Sequence, residues 1–277
     1  MFVSSSKRVL PGFGLSLGCS LFYTCLILLL PLSALAIQLS SMSWAEYWQV
    51  IANPQIVAAY QVTLLAAAIA SLFNMVFGML MAWILTRYRF PGRNLLDGLI
   101  DLPFALPTAV AGLTLATLFS ATGWYGSWLG NFDIKVVNTW LGIAVAMAFT
   151  SLPFVVRTVQ PVLEELGPEY EEAAQTLGAS RWQTFRQVIL PELSPALIAG
   201  TVLSFTRSLG EFGAVIFIAG NIAWQTEVVS LMIFVRLQEF DYPAASAIAS
   251  VILAVSLLLL FSVNLLQSRF GKRIGGH

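Results

Sequence analysis

The sequence predicts an all-α, polytopic membrane protein with six transmembrane helices. Three observations carry this. Of 277 residues, 58% are hydrophobic and only 10% charged, against about a quarter charged in a soluble domain; mean hydropathy is +0.81. Six apolar segments, at about 13–37, 60–85, 99–120, 138–158, 195–219 and 243–267, approach the roughly 20 residues of a bilayer span. Backbone groups in lipid must be bonded within their own segment, so each segment is helical. One transmembrane domain, residues 1–277, accounts for the chain.

The first segment follows Lys7 and Arg8, and Ser33-Ala34-Leu35-Ala36 has the small residues of a signal-peptidase site. The apolar run from Phe13 to Ile37 exceeds the roughly 7–15 residues of a cleaved signal core, so it reads as an uncleaved span. Cys19 and Cys25 lie inside it and are expected as buried free thiols rather than a disulfide. His277 is the only histidine and is terminal, which argues against a histidine metal site or proton relay.

Trp44, Tyr47 and Trp48 precede Asn53-Pro54, and Trp124, Tyr125 and Trp128 follow the third span. They read as an interfacial aromatic belt or as a docking surface for a partner. The segment from Asn221 to Tyr242, with Glu227, Arg236, Glu239 and Asp241, is a second candidate for docking. The third span begins Asp101-Leu102-Pro103-Phe104-Ala105-Leu106-Pro107, where two prolines should kink or unwind it. It is the only broken span the sequence shows.

Between the fourth and fifth spans lies a loop, 160–194, whose core Gly167–Pro191 is the least membrane-like stretch of the chain. Pro168 suits the first helical position. Glu169, Glu171 and Glu172 follow in the first turn, where the helix dipole favours anions, and Ala173 and Ala174 extend the helix. Gly178 supplies a left-handed stop. Ser180 caps a second helix, whose Trp182, Phe185, Val188 and Ile189 recur at helical spacing, and Pro191 ends it. Trp182, Phe185 and Ile189 are the expected anchors in a partner. Glu172 has three open roles: a cap, a pair with Arg181 or Arg186, or a contact with a basic residue of a partner.

The fifth span contains Ser204-Phe205-Thr206-Arg207-Ser208-Leu209-Gly210-Glu211-Phe212-Gly213. Arg207 and Glu211, four apart, share a helix face and can pair. Ser204 and Ser208 lie on or near that face, and Gly210 and Gly213 allow close approach of a neighbour. Either this face lines a translocation path, with Ser204, Arg207, Ser208 and Glu211 along it, or the ion pair locks helix packing.

Basic residues give an orientation. With both termini cytoplasmic, Lys7, Arg8, Arg87, Arg89, Arg93, Arg157, Arg181, Arg186, Arg269, Lys272 and Arg273 fall inside, and only Lys135 and Arg236 outside. This places the loop in the cytoplasm. The chain has no GxxxxGK[ST] loop, GxSxG elbow, HExxH or cysteine–histidine cluster. It is therefore not expected to be an enzyme, and no metal ligands are visible.

At Glu172-Ala173-Ala174, Gly178, Val188, Leu190 and Pro191 the loop resembles permease subunits of ATP-binding-cassette importers, with Val188 where that family has isoleucine. Leu102–Gly112, Arg207–Gly213 and Arg236–Tyr242 extend the likeness to the oxyanion branch, and to the T-type permeases of bacterial sulfate/thiosulfate importers over essentially the whole chain. Molybdate and tungstate permeases share much of this wording. The resemblance implies a type I importer fold in the bacterial inner membrane and a heteromeric complex for anion import. Its partners would be a second, related permease, two ATP-binding subunits that hold ATP and magnesium, and a periplasmic sulfate/thiosulfate-binding protein. It implies no cofactor in this chain and no nucleic-acid partner. Glu172, Ala173, Ala174, Gly178, Trp182, Phe185, Val188, Leu190 and Pro191 would form the ATPase-coupling element. Two rivals differ in class: an ion-coupled secondary transporter, which requires an acid free to titrate and paired broken helices, and a non-transport scaffold whose loop binds a regulator.

Overall fold

The computed structural model describes residues 13–274, the side chains at 263, 264 and 266–274 excepted. Lys7, Arg8 and His277, and the side chains of Arg269, Lys272 and Arg273, lie outside the described residues. The chain forms α1 (Phe13–Ser40), α2 (Trp44–Ile51), α3 (Pro54–Arg87), α4 (Arg93–Ile100), α5 (Leu102–Ala105), α6 (Thr108–Phe119), α7 (Trp124–Gly130) and α8 (Trp140–Glu165). It continues with α9 (Glu169–Thr176), α10 (Arg181–Thr184), a π-turn (Phe185–Ile189), α11 (Leu190–Leu209), α12 (Gly213–Ile218), α13 (Val229–Gln238) and α14 (Tyr242–Ile274). No strand occurs among the described residues.

Five helical runs are long and apolar enough to span a bilayer: α1, α3, α8, the continuous run 181–209 and residues 242–262 of α14. The third predicted span is instead divided among α4, α5 and α6, none of spanning length. The fifth is broken as well, between Leu209 and Gly213.

The frame is the mutual packing of α3, α8 and α11. Small residues let these helices approach: Ala66, Ala67, Ala70 and Ala82 of α3 and Ala144 and Ala146 of α8 are all buried. One apolar cluster joins them to α12 through Ile143, Met147, Leu209, Val215 and Ile218. A second, toward the loop, holds Leu85, Val155, Val159, Leu163, Ile189 and Leu193. The third seats α13 against α3 and α14 through Ile56, Val229, Met232 and Ile248. Residues 229–238, expected as part of a surface segment, are therefore a helix packed into the bundle.

Helix α1 packs along α14 and buries none of its residues. Cys19 and Cys25 are free but exposed, not buried. Apolarity in a membrane protein does not mean burial in protein, because lipid satisfies it equally well.

Candidate functional site

The loop 169–189 folds as a helical elbow. Helix α9 ends in a Schellman motif: Ala179 N–H donates to Ala174 O at 3.0 Å and Gly178 N–H to Gln175 O at 2.9 Å. Gly178 has φ +83°, a conformation that L side chains resist. Ser180 opens α10 with a capping box, Gln183 N–H donating to Ser180 Oγ and Ser180 N–H to Gln183 Oε1. The turn and the cap stand where the sequence puts them.

Pro191 does not end the second helix. Its ring would collide with the Gln187 carbonyl in an unbroken α-helix. The π-turn just before it widens that stretch, with Leu190 N–H reaching back to Phe185 O. At Pro195 the uncapped Pro191 carbonyl accepts the Ser194 hydroxyl at 2.8 Å. The helix thus runs unbroken from Arg181 to Leu209, 29 residues, or about 44 Å at 1.5 Å per residue.

The elbow's inner side is fixed to α3. Arg87 Nε meets Glu171 at 2.8 Å, and its terminal nitrogens donate to Leu163 O and Leu166 O. Phe185 stands edge-on to Trp83, 5.8 Å between centroids, and stacks on Trp182. Ile189, expected as a partner-facing anchor, is 2% exposed and belongs to this chain's own core. Thr184 is buried beside it, and Val188 and Leu190 are half-buried. The outer side presents Tyr170, Glu172, Ala173, Leu177 (89% exposed) and Trp182 (67%), while Ala174 is buried. Among the described residues Glu172 neither caps α9 nor pairs with Arg181 or Arg186; the acid that pairs is Glu171, with Arg87. No local sequence signal links those two, because Arg87 comes from the far end of α3.

The other end of the long helix leads to the second break. Arg207 Nη1 contacts Glu211 Oε2 at 2.8 Å. The pair does not lie along one helix, since α11 stops at Leu209. It bridges the gap, and Glu211 Oε1 accepts the Ala214 N–H at 2.9 Å at the start of α12. Glu211 is 1% exposed, whereas Arg207 keeps 34% of its side chain open. No proline marks this break; Gly210, Gly213 and the acid between them are the signals the sequence offers.

Ser204 and Ser208 turn the other way. Both are wholly buried, and their hydroxyls donate to Ser151 of α8 at 2.9 and 3.1 Å. Asn74 of α3 donates to Ser151 Oγ, Ser204 Oγ and Ala148 O. This polar knot ties the three frame helices together at membrane depth, and Asn74 is a member that sequence reading did not single out.

The two broken spans meet. Gly112 of α6 sits against the backbone of Ala214 of α12, and Gly213 against Thr108, leaving no room for a Cβ at either. Gly210 contacts no neighbouring helix. Helices α6 and α12 therefore form a close pair. The other arm of the third span, α4 and α5, is held to α8 by Arg157. That side chain bonds Asp97 at 2.7 Å, Asp101 at 2.6 and 2.8 Å, Asp97 O and Gln160. Asp101 and Glu211 are thus each paired to an arginine, so neither is the free acid that ion coupling requires.

At the end of the bundle away from the elbow, α2 and α7 carry the exposed Trp44, Trp48, Trp124 and Trp128. Glu227 is not available for docking: it is 8% exposed and accepts Gln55 Nε2 at 2.9 and 3.1 Å. Arg236 and Glu239 pair with each other at 2.9 Å.

The family model of binding-protein-dependent transport system inner membrane components matches residues 74–276. The sulfate transport system permease protein CysT of Escherichia coli (strain K12) is 81% identical over all 277 residues, covering both chains completely, and that of Salmonella typhimurium matches equally. The corresponding protein of Synechocystis is 48% identical over 254 residues, 92% of this chain and 88% of the relative. Among solved structures, a chain of a bacterial alginate ABC transporter in complex with alginate pentasaccharide-bound periplasmic protein superposes with TM-score 0.76 at 20% identity. The match covers 93% of this chain and 94% of that one. A chain of the MetNI methionine ABC transporter gives 0.58 at 16% identity, covering 82% and 99%.

Proposed function

The chain belongs to the family of binding-protein-dependent transport system inner membrane components, and we propose that it carries sulfate and thiosulfate through the membrane for an importer driven by ATP. Full-length identity of 81% to sulfate permeases supports the substrate. The mechanical part rests on one observation: a single helix joins the elbow to the Arg207–Glu211 break.

The elbow is the lever. Its exposed side, Tyr170, Glu172, Ala173, Leu177 and Gly178 with Trp182 at its flank, enters a partner ATPase. Phe185, Val188 and Leu190, with Ala174, hold the lever to its own chain, and Pro191 follows them on the exposed surface. Both termini are cytoplasmic, in keeping with the eleven-to-two division of basic residues. A second permease, two ATP-binding subunits and a periplasmic binding protein complete the machine, and ATP with magnesium sits in the ATP-binding subunits. Nucleotide binds two states of those subunits unequally and so shifts the elbow between two positions. Within the membrane Arg207, partly open, is the side chain that meets the anion, while Ser204 and Ser208 fix the helix that carries it.

Uptake of labelled sulfate by cells lacking other sulfate importers tests the reading. Competition by unlabelled sulfate and thiosulfate but not by molybdate is expected; competition by molybdate alone would reassign the substrate. Uptake unaffected by Gly178→Pro would refute the lever.

A further inference from the structure

Beyond its first turn, where Glu192 is exposed, the open side of α11 carries one charge, Arg207. Leu193, Leu197, Gly200, Ser204 and Ser208 face the frame and are buried, whereas Leu203, Arg207 and Gly210 line the uncovered side. An arginine at membrane depth does not turn its open side to lipid without heavy cost; it faces a polar path. Its guanidinium has five N–H donors, and the ion-pair partner it meets is Glu211 Oε2.

Glu211 is engaged on three sides. Oε2 holds Arg207, Oε1 accepts Ala214 N–H of α12, and its backbone carbonyl accepts the Ser230 hydroxyl of α13 at 2.7 Å. The buried carboxylate therefore joins the end of the lever to α12, the Glu211 backbone ties the same point to α13, and α12 carries α6 with it. Both members of that pair are flanked by non-helical backbone, Leu106–Pro107 before α6 and Gly210–Phe212 before α12. At Gly210 nothing crowds the bend: a Cβ there would meet only Arg207 O, at 4.0 Å.

We propose that Arg207 and Glu211 form a latch released by the transported oxyanion. The proposal rests on the reading of the chain as an oxyanion permease. A tetrahedral dianion offers the guanidinium a bidentate partner at least as good as a carboxylate. Once the anion takes Arg207, Glu211 is a buried carboxylate without a cation, which is strongly unfavourable. Its remaining bond is to α12, so the charge regains water only if the α6–α12 pair swings away from the end of α11. Substrate binding thereby favours the open arrangement of that pair. An empty transporter keeps the latch shut because Glu211 occupies the site the anion needs.

The test is uptake kinetics by the complete importer in cells, with the abundance of the assembled complex measured for each variant. Glu211→Gln keeps an oxygen for Ala214 N–H but removes the competing charge. The latch predicts at least a threefold lower KM for sulfate, because Arg207 is free, and at least a tenfold lower maximal rate, because nothing displaces the anion. The neutral pair Arg207→Gln/Glu211→Gln retains a hydrogen-bonded bridge and, if the pair were structural alone, would transport within twofold of wild type; that result, or an unchanged KM in Glu211→Gln, overturns the latch. Should those variants fail to assemble, Arg207→Lys carries the test. A KM raised at least threefold at normal abundance upholds contact with the anion, and an unchanged KM overturns it. If the wild-type importer takes up molybdate and not sulfate, the substrate reading fails, and the same pattern measured with molybdate still decides the latch.

Discussion

Gly112→Ala tests the contact on which the paired broken helices depend. A Cβ at 112 would stand 2.6 Å from Ala214 Cα and 2.8 Å from its carbonyl carbon. Optimal carbon separations are about 3.5–4.0 Å, so α6 and α12 must part by roughly 1 Å, and because both obstacles are backbone no rotamer change relieves them. Overpacking of this kind costs about 1–3 kcal/mol, of which about 0.5–1 kcal/mol is offset by alanine's better helix propensity. The net loss is up to about 2.5 kcal/mol, or up to about seventyfold in an equilibrium between seated and displaced pairs. Gly98→Ala is the matched control, since a Cβ there meets nothing within 4 Å. Thermal melts of purified protein in detergent, followed by sulfate uptake in cells, read both variants. Gly112→Ala should melt lower and lose most uptake, and Gly98→Ala should melt with or above wild type. Melting of Gly112→Ala at the wild-type temperature, or equal losses in both variants, would refute the packing argument.

Three further outcomes are expected. Gly178→Pro forces φ to about −65° where the chain has +83° and removes the N–H bonded to Gln175 O; uptake should fall at least tenfold with membrane insertion, read by protease protection, unchanged. Arg157→Ala leaves Asp97 and Asp101 facing each other without their cation and frees α4–α5 from α8; amide exchange across 93–105 should accelerate, and Arg157→Lys should recover part of the protection. At Glu46 the Ser43 N–H and hydroxyl hold the carboxyl below the usual range, so the α2 capping box contributes above the ordinary carboxylate pKa and is lost as pH falls through the lowered value. The Glu46 side-chain carbon resonance should therefore titrate below the ordinary glutamate value, and titration at or above that value would contradict the bond.

Much of the elbow was legible because its signals are local. A glycine at the stop, a serine with glutamine three residues on, and acids in a first turn act within one or two helical turns, and Gly178 and Ser180 do what their types dictate. Pro103 and Pro107 likewise announced the break in the third span. What stayed hidden depends on distant partners. Nothing near Glu171 points to Arg87, and nothing near Asn74 points to Ser151 and Ser204. The break at 210–212 has no proline; beyond it Gly213 packs against Thr108 of α6, a contact that nothing near it in sequence indicates. Pro191 misled because a π-turn upstream removes the clash that normally ends a helix. Cys19 and Ile189 erred in opposite directions. Hydropathy does not separate a face turned to lipid from one turned to protein, nor an anchor for a partner from a residue of the chain's own core.

The central claim is that the tip of the elbow works against an ATPase on the cytoplasmic side. With Cys19→Ser and Cys25→Ser as background, Leu177→Cys places one thiol on the most exposed apolar residue of the tip. In the assembled importer that thiol should cross-link through a short bifunctional reagent to an ATP-binding subunit, with a yield that changes when nucleotide is added. Labelling of the same thiol by an impermeant reagent from the periplasmic side, or an intact complex that yields no such adduct, would contradict the account.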